Sequence, residues 1–97
     1  MTTFSFKPGA SQPLAIQPLQ DDGTPADLTG ATMQLRVFDG TACVTLPGVL
    51  VPADDLFEVD LNSLTLPPRL YPASIYIDWG DGWIKEGEIN LLIEGGC

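Results

Sequence analysis

The sequence predicts an all-β domain, an antiparallel β-sandwich of about seven short strands. Three observations carry that expectation. Prolines at 8, 13, 18, 25, 47, 52, 67, 68 and 72 leave only two long proline-free runs, 26–46 and 73–97, and neither has a helical period. Apolar side chains instead recur at every second position over short stretches, the pattern of strands with one dry and one wet face. Between these stretches sit clusters of Asp, Gly and Pro with turn chemistry.

Each element follows from its residues. Phe4 and Phe6 flank Ser5 in a weak first strand. Leu14 and Ile16 flank Ala15 between Pro13 and Pro18, which cannot donate to a ladder, so this strand belongs at an edge or is kinked. Asp21-Asp22-Gly23-Thr24-Pro25 is a turn, because Asp side chains bond the local backbone and Gly accepts positive φ. Met33, Leu35 and Val37 face one side of the next strand, and Thr32, Gln34 and Arg36 the other. Thr41–Thr45 forms a strand with Cys43 as a small buried hydrophobe. Short helical turns fit near 52–55 and 62–64. Phe57, Val59 and Leu61 alternate with Glu58 and Asp60. Ala73, Ile75, Ile77 and Trp79 form an inward row, as do Ile89, Leu91 and Ile93. Asp81-Gly82 is the strongest hairpin signal and joins strand 73–79 to strand 83–93. Leu35, Val59, Ile77 and Leu91 are expected in the core. No repeat or linker divides residues 1–97, which read as one domain.

Composition narrows the function. Thirteen acidic against four basic residues give a net charge of -9, which argues against binding a phosphate backbone. Histidine is absent, which removes every Ser-His-Asp, Cys-His and His-zinc arrangement. No basic, apolar leader is visible at Met1-Thr2-Thr3-Phe4, and no apolar run reaches membrane-spanning length. Synthesis in a cytoplasm, with no nucleic acid, membrane or cofactor as partner, is the expectation. For Cys43 and Cys97 an intramolecular bond, an inter-subunit bond and free thiols all stay open. Free thiols are favoured because cytosolic disulfides are rare, while Gly95-Gly96 tethers Cys97 so that it could reach a neighbouring chain.

Candidate chemistry is thin. Asp21-Asp22, Asp54-Asp55 and Asp78 with Asp81 offer oxygen ligands, but they lack the alternating carboxylates of a calcium loop, and turn chemistry accounts for them. Glu86 and Glu88 share a strand face and read, like Glu58 and Asp60, as solvated acids rather than a hydrolytic pair. Gly80, Gly82 and Gly87 form no phosphate loop. Trp79 belongs with the core, while Trp83, Tyr76 and Tyr71 divide between packing, a subunit interface and a ligand surface. No residue set names a reaction, and the chain is not expected to be an enzyme.

One stretch goes further: Asp21-Asp22-Gly23-Thr24-Pro25-Ala26-Asp27-Leu28-Thr29-Gly30-Ala31-Thr32. It resembles a "DDGTPxDLTGAT" segment of the small immunoglobulin-like domains of tailed-phage virion proteins, and is most similar to the N-terminal domain of phage baseplate upper proteins. In that family a strand precedes the segment, as Leu14–Gln17 does here, and an alternating strand follows, as Met33–Val37 does. The family's "G-x-Y" lead-in to a later strand is matched by Arg69-Leu70-Tyr71, without the glycine. The resemblance covers most of residues 13–94, with 21–32 its distinctive part.

It implies an immunoglobulin-like sandwich serving as a non-enzymatic virion component in the tail or baseplate, or as a capsid decoration or neck protein. Partners would be other virion proteins and copies of itself. Asp22, Gly23, Asp27, Gly30, Asp81 and Gly82 would be turn-formers, with Asp27 holding backbone donors and Gly30 bending the chain. Tyr71 would anchor a loop through its hydroxyl. Phe4, Phe6, Tyr76 and Trp83 are interface candidates, and Cys97 and Cys43 candidates for an inter-subunit disulfide. The termini 1–7 and 94–97 would extend to adjacent subunits. The alternative is a free-standing module that binds a glycan or host-surface protein through Tyr76, Trp83 or loops.

Overall fold

A computed structural model describes residues 2–9 and 13–94. Among the described residues there are eight strands: β1 (Thr2–Phe6), β2 (Leu14–Ile16), β3 (Thr32–Phe38), β4 (Cys43–Pro47), β5 (Val49–Val51), β6 (Leu56–Val59), β7 (Leu70–Asp78) and β8 (Trp83–Ile93). Short 3-10 turns at Pro52–Asp54 and Leu61–Ser63 fall where helical turns are expected. Among the described residues no helix is long and apolar enough to cross a membrane.

The strands form a five-stranded sheet, β1-β8-β7-β3-β4, and a three-stranded sheet, β2-β6-β5. Both bury one face in a shared core that takes Met33, Leu35, Val37, Ala73, Ile77, Leu91 and Ile93 from the large sheet and Leu14, Phe57 and Val59 from the small one. Leu35, Val59, Ile77 and Leu91 are all 0% exposed, as the alternation demands. Leu28 and Leu61, from the connections, plug the core. The β2 strand lies at an edge of its sheet, where Pro13 and Pro18 are tolerated.

Two expectations about strands are corrected. The large sheet is mixed, because β1 runs parallel to β8, with Thr2 opposite Ile89 and Phe6 opposite Ile93. Alternation fixes which face a side chain takes but carries no information on strand direction. The N-terminal segment forms the first strand expected around Phe4 and Phe6, but Phe6, an interface candidate, is buried in the core. Phe4 is half-buried against the same core. Residues 95–97, with Cys97, lie outside the described residues.

Trp79 is likewise not inward: it is 37% exposed, one residue past the end of β7. The small sheet stops short of this end. Ile84 stands directly opposite Ile77, so both share a face, yet Ile77 is fully buried and Ile84 47% exposed. The β7–β8 hairpin thus projects beyond its cover.

Candidate functional site

The turns predicted from Asp and Gly form as their chemistry requires. Asp22 Oδ1 accepts from the Thr24 amide and hydroxyl, and Asp27 Oδ1 accepts from the Thr29 amide. Gly23 and Gly30 take φ of +87° and +78°. Those bonds favour the carboxylate form, so both carboxyls titrate below the usual Asp range, Asp22 mainly through the Thr24 hydroxyl and Asp27 through the Thr29 amide. In the β7–β8 turn Gly82 has φ +106°, but the organising carboxylate is Asp78, whose Oδ1 accepts from the amides of Gly80 and Gly82 at 2.8 and 3.1 Å. Asp81 is exposed on the same turn.

Sequence reasoning missed a parallel device between β3 and β4. Asp39 Oδ1 accepts from the amides of Ala42 and Thr41, both at 2.8 Å, and these two bonds depress its carboxyl, the Ala42 bond most. Asp39-Gly40 is itself an Asp-Gly hairpin signal, and Gly40 takes φ +104°. Arg69 ties this turn to the start of β7: its guanidinium donates to the Asp39 carbonyl at 2.9 Å and lies 4.8 Å from the Tyr71 ring centroid. Tyr71 is buried, and its hydroxyl donates to the Pro67 carbonyl at 2.6 Å, the loop anchor anticipated for it.

On the outward face of the large sheet, Tyr76 is half-buried beneath the Arg36 guanidinium, 3.9 Å from the ring centroid. Arg36 also donates twice to Gln34 Oε1. Trp83 shares that outward side, opposite Asp78, and Trp79 follows Asp78 into the hairpin turn. The two indoles and Tyr76 thus flank one end of the sheet, with the tip the more accessible part.

A β-bulge between Ile75 and Tyr76 reshapes β8. Ile75 pairs with Gly87 and Tyr76 with Lys85, leaving Glu86 without an opposite residue. Glu86 and Glu88 therefore do not share a face. Lys85 and Glu88, three apart, reach one face and form an ion pair that raises the Lys85 pKa through the Glu88 hydrogen bond. Glu86 lines a cleft of about 240 Å³ with Ile75, Ile77 and the segment Ile16–Leu19. The signal for the bulge was Gly87, an isolated glycine inside a strand.

Cys43 is exposed at the start of β4, not buried, because the strand begins there with Cys43 on its outward-facing side, opposite Phe38. Among the described residues no group of three potential metal-ligating side chains converges, and Asp21-Asp22 and Asp54-Asp55 sit on separate turns. No family model matches the chain, and no curated protein matches it.

Proposed function

We propose that this chain is an immunoglobulin-like β-sandwich and a structural component of a tailed-phage virion, acting through protein–protein packing in a symmetric assembly rather than by catalysis. The observation that carries the reading is the strand order around Tyr71. The immunoglobulin arrangement sets strands B, E and D against G, F and C, with C′ added beside C. The orders β2-β6-β5 and β8-β7-β3-β4 support the reading by following B-E-D and G-F-C-C′, while β1 pairs with β8 instead of joining the β2 sheet as strand A does in constant-type domains. Tyr71, near the start of the F-equivalent β7, bonds the backbone four residues upstream as a tyrosine corner does. The segment 21–32, which resembles phage virion domains, supplies the Asp22 and Asp27 turns that lead the chain from β2 into β3.

Many copies with modest interfaces would hold a large particle together through multivalency. The tail or baseplate is the favoured layer, with a capsid decoration or neck as the other placements. Mass spectrometry of purified virions decides: the reading expects this chain at a fixed copy number, and its absence from the particle overturns it. Six or twelve copies point to baseplate or neck, and hundreds to the capsid or tail shaft.

The exposed Trp79 and Trp83 at the hairpin tip favour one second reading, a free-standing module for a glycan or host-surface protein. A glycan array probed with the purified protein and with Trp83→Ala tests it, and equal signals from the two exclude this tip as the binding surface.

A further inference from the structure

Alternation along β8 puts Gly87, Ile89 and Leu91 on the side of Ile75, Ala73 and Tyr71, and Glu88 on the wet side, so Glu86 would be wet as well. The bulge overrides this. With Ile75 opposite Gly87 and Tyr76 opposite Lys85, Glu86 is the extra residue and lines the cleft between the sheets. Re-aiming a side chain is what a bulge does, at the cost of a ladder interruption. The walls that Glu86 meets are apolar: Ile75 and Ile77 from β7, and Ile16, Pro18 and Leu19 across the gap. Their side chains offer a carboxylate no donor, and Pro18 has no amide. Gln17, the other polar group of the lining, has its amide nitrogen bonded to the Asp54 carbonyl.

No cation of the chain balances this carboxylate. Lys85 pairs with Glu88 on the wet face, Arg36 lies over Tyr76, and Arg69 bonds the Asp39 carbonyl. Lys7 follows Phe6, which pairs with Ile93 at the far end of β8. Among the described residues Glu86 makes no hydrogen bond or ion pair, and it is the one charged group on the cleft lining. It is also exposed, so a group from outside reaches it. The rim is apolar and accessible: Leu19 is 59% exposed, and Ile84, beside the cleft because it stands opposite Ile77, is 47% exposed.

The geometry points to this cleft as a socket for one lysine or arginine side chain of a partner protein, presented between apolar residues. The partner's aliphatic stem lies along Ile16, Ile75 and Ile77, its cationic head meets the Glu86 carboxylate, and its apolar neighbours cover Leu19 and Ile84. Charge complementarity selects this occupant: the lining carries a single negative charge and no cation, and the net charge of -9 draws a basic partner while repelling a second copy. Size agrees, since about 240 Å³ is below the roughly 300–1,000 Å³ of small-molecule sites and suits one long side chain. The inference deepens the packing reading above, which makes the partner a neighbouring virion protein. Mass spectrometry decides whether the chain is in virions, and the titration below reads the cleft whatever that result.

Amide NMR of the full chain, titrated with a capped peptide carrying arginine between two leucines, tests it. The comparison peptide has citrulline, which keeps the shape and loses the charge. The arginine peptide should shift the amides of Ile16, Ile75, Ile77 and Glu86 saturably and bind about fivefold tighter than the citrulline peptide. Glu86→Gln should abolish that preference. Glu94→Gln, at the far end of β8, changes the net charge equally and should keep it, which separates a local pair from general attraction to an acidic protein. The dispersed spectrum shows that each variant folds. The inference is overturned by the absence of saturable shifts at these amides, by equal affinity for the two peptides, or by Glu94→Gln acting as strongly as Glu86→Gln. It is overturned too if the same amides shift with protein concentration alone, which makes the occupant a second copy.

Discussion

Removing one oxygen, in Tyr71→Phe, tests whether the corner beneath β7 is held by its hydroxyl. The ring is buried, and its only polar atom donates at 2.6 Å to the Pro67 carbonyl, across the loop that brings the chain from the 3-10 turn at Leu61–Ser63 into β7. The substitution keeps the ring, so no cavity opens and the transfer cost is small. Pro67 itself is exposed, so its carbonyl regains water when the hydroxyl is gone. The loss is therefore that of a net hydrogen bond, about 1 kcal/mol, with little added cost of an unsatisfied acceptor. For a domain of this size that lowers Tm by roughly 4–8 °C. Tyr71→Ala instead empties a core position and should cost about 3–5 kcal/mol. Urea unfolding at pH 7 measures both. If Tyr71→Phe matches the wild type while Tyr71→Ala is strongly destabilised, the ring fills space and the hydroxyl does not anchor the loop, which removes one of the two supports for the immunoglobulin-like reading.

Other outcomes follow from the same geometry. Gly48→Ala puts a Cβ 2.7 Å from Met33 Sδ and 3.1 Å from Met33 Cβ, and should destabilise by about 1–3 kcal/mol in a thermal melt, since the sulfur can swing away but Cβ cannot. Asp39→Ala removes the acceptor for two amides in the β3–β4 turn and should lower the urea midpoint, with hydrogen exchange at Thr41 and Ala42 accelerated first. Asp22, Asp27 and Asp39 all have carboxyls depressed by hydrogen bonds in the folded state, so their stabilisation is complete above the unfolded value near 3.8 and disappears as pH falls through the folded values. Melts should hold steady from neutral pH to about pH 5 and drop below about pH 4, and Asp39→Ala should shrink that drop.

The Asp-rich turns were legible because they are local: a side chain bonds an amide two or three residues away, so Asp22, Gly23, Asp27 and Gly30 carry their own explanation in the sequence. The same chemistry at Asp39-Gly40 is equally local, and at Asp78–Gly82 turn chemistry covers both Asp78 and Asp81 without telling which of them holds the amides; it is Asp78. The candidate surface residues were harder to place. Alternation put Tyr76 on the wet side, but nothing in the chain announces that Arg36, on another strand, stacks on its ring.

The sequence by itself determined the β class and the inward row of Leu35, Val59, Ile77 and Leu91, because a strand's period of two follows from its backbone geometry alone. It also determined the blunted β2 edge, since proline lacks an amide wherever it sits. Only the tertiary structure decided that β1 runs parallel to β8, that the bulge at Ile75/Tyr76 sends Glu86 to the cleft and Glu88 outward, and that Trp79 and Ile84 lie past the reach of the small sheet. Those outcomes depend on which distant strand arrives and how far it extends. A local pattern fixes the two sides of a strand, but burial of either side is a property of what packs against it.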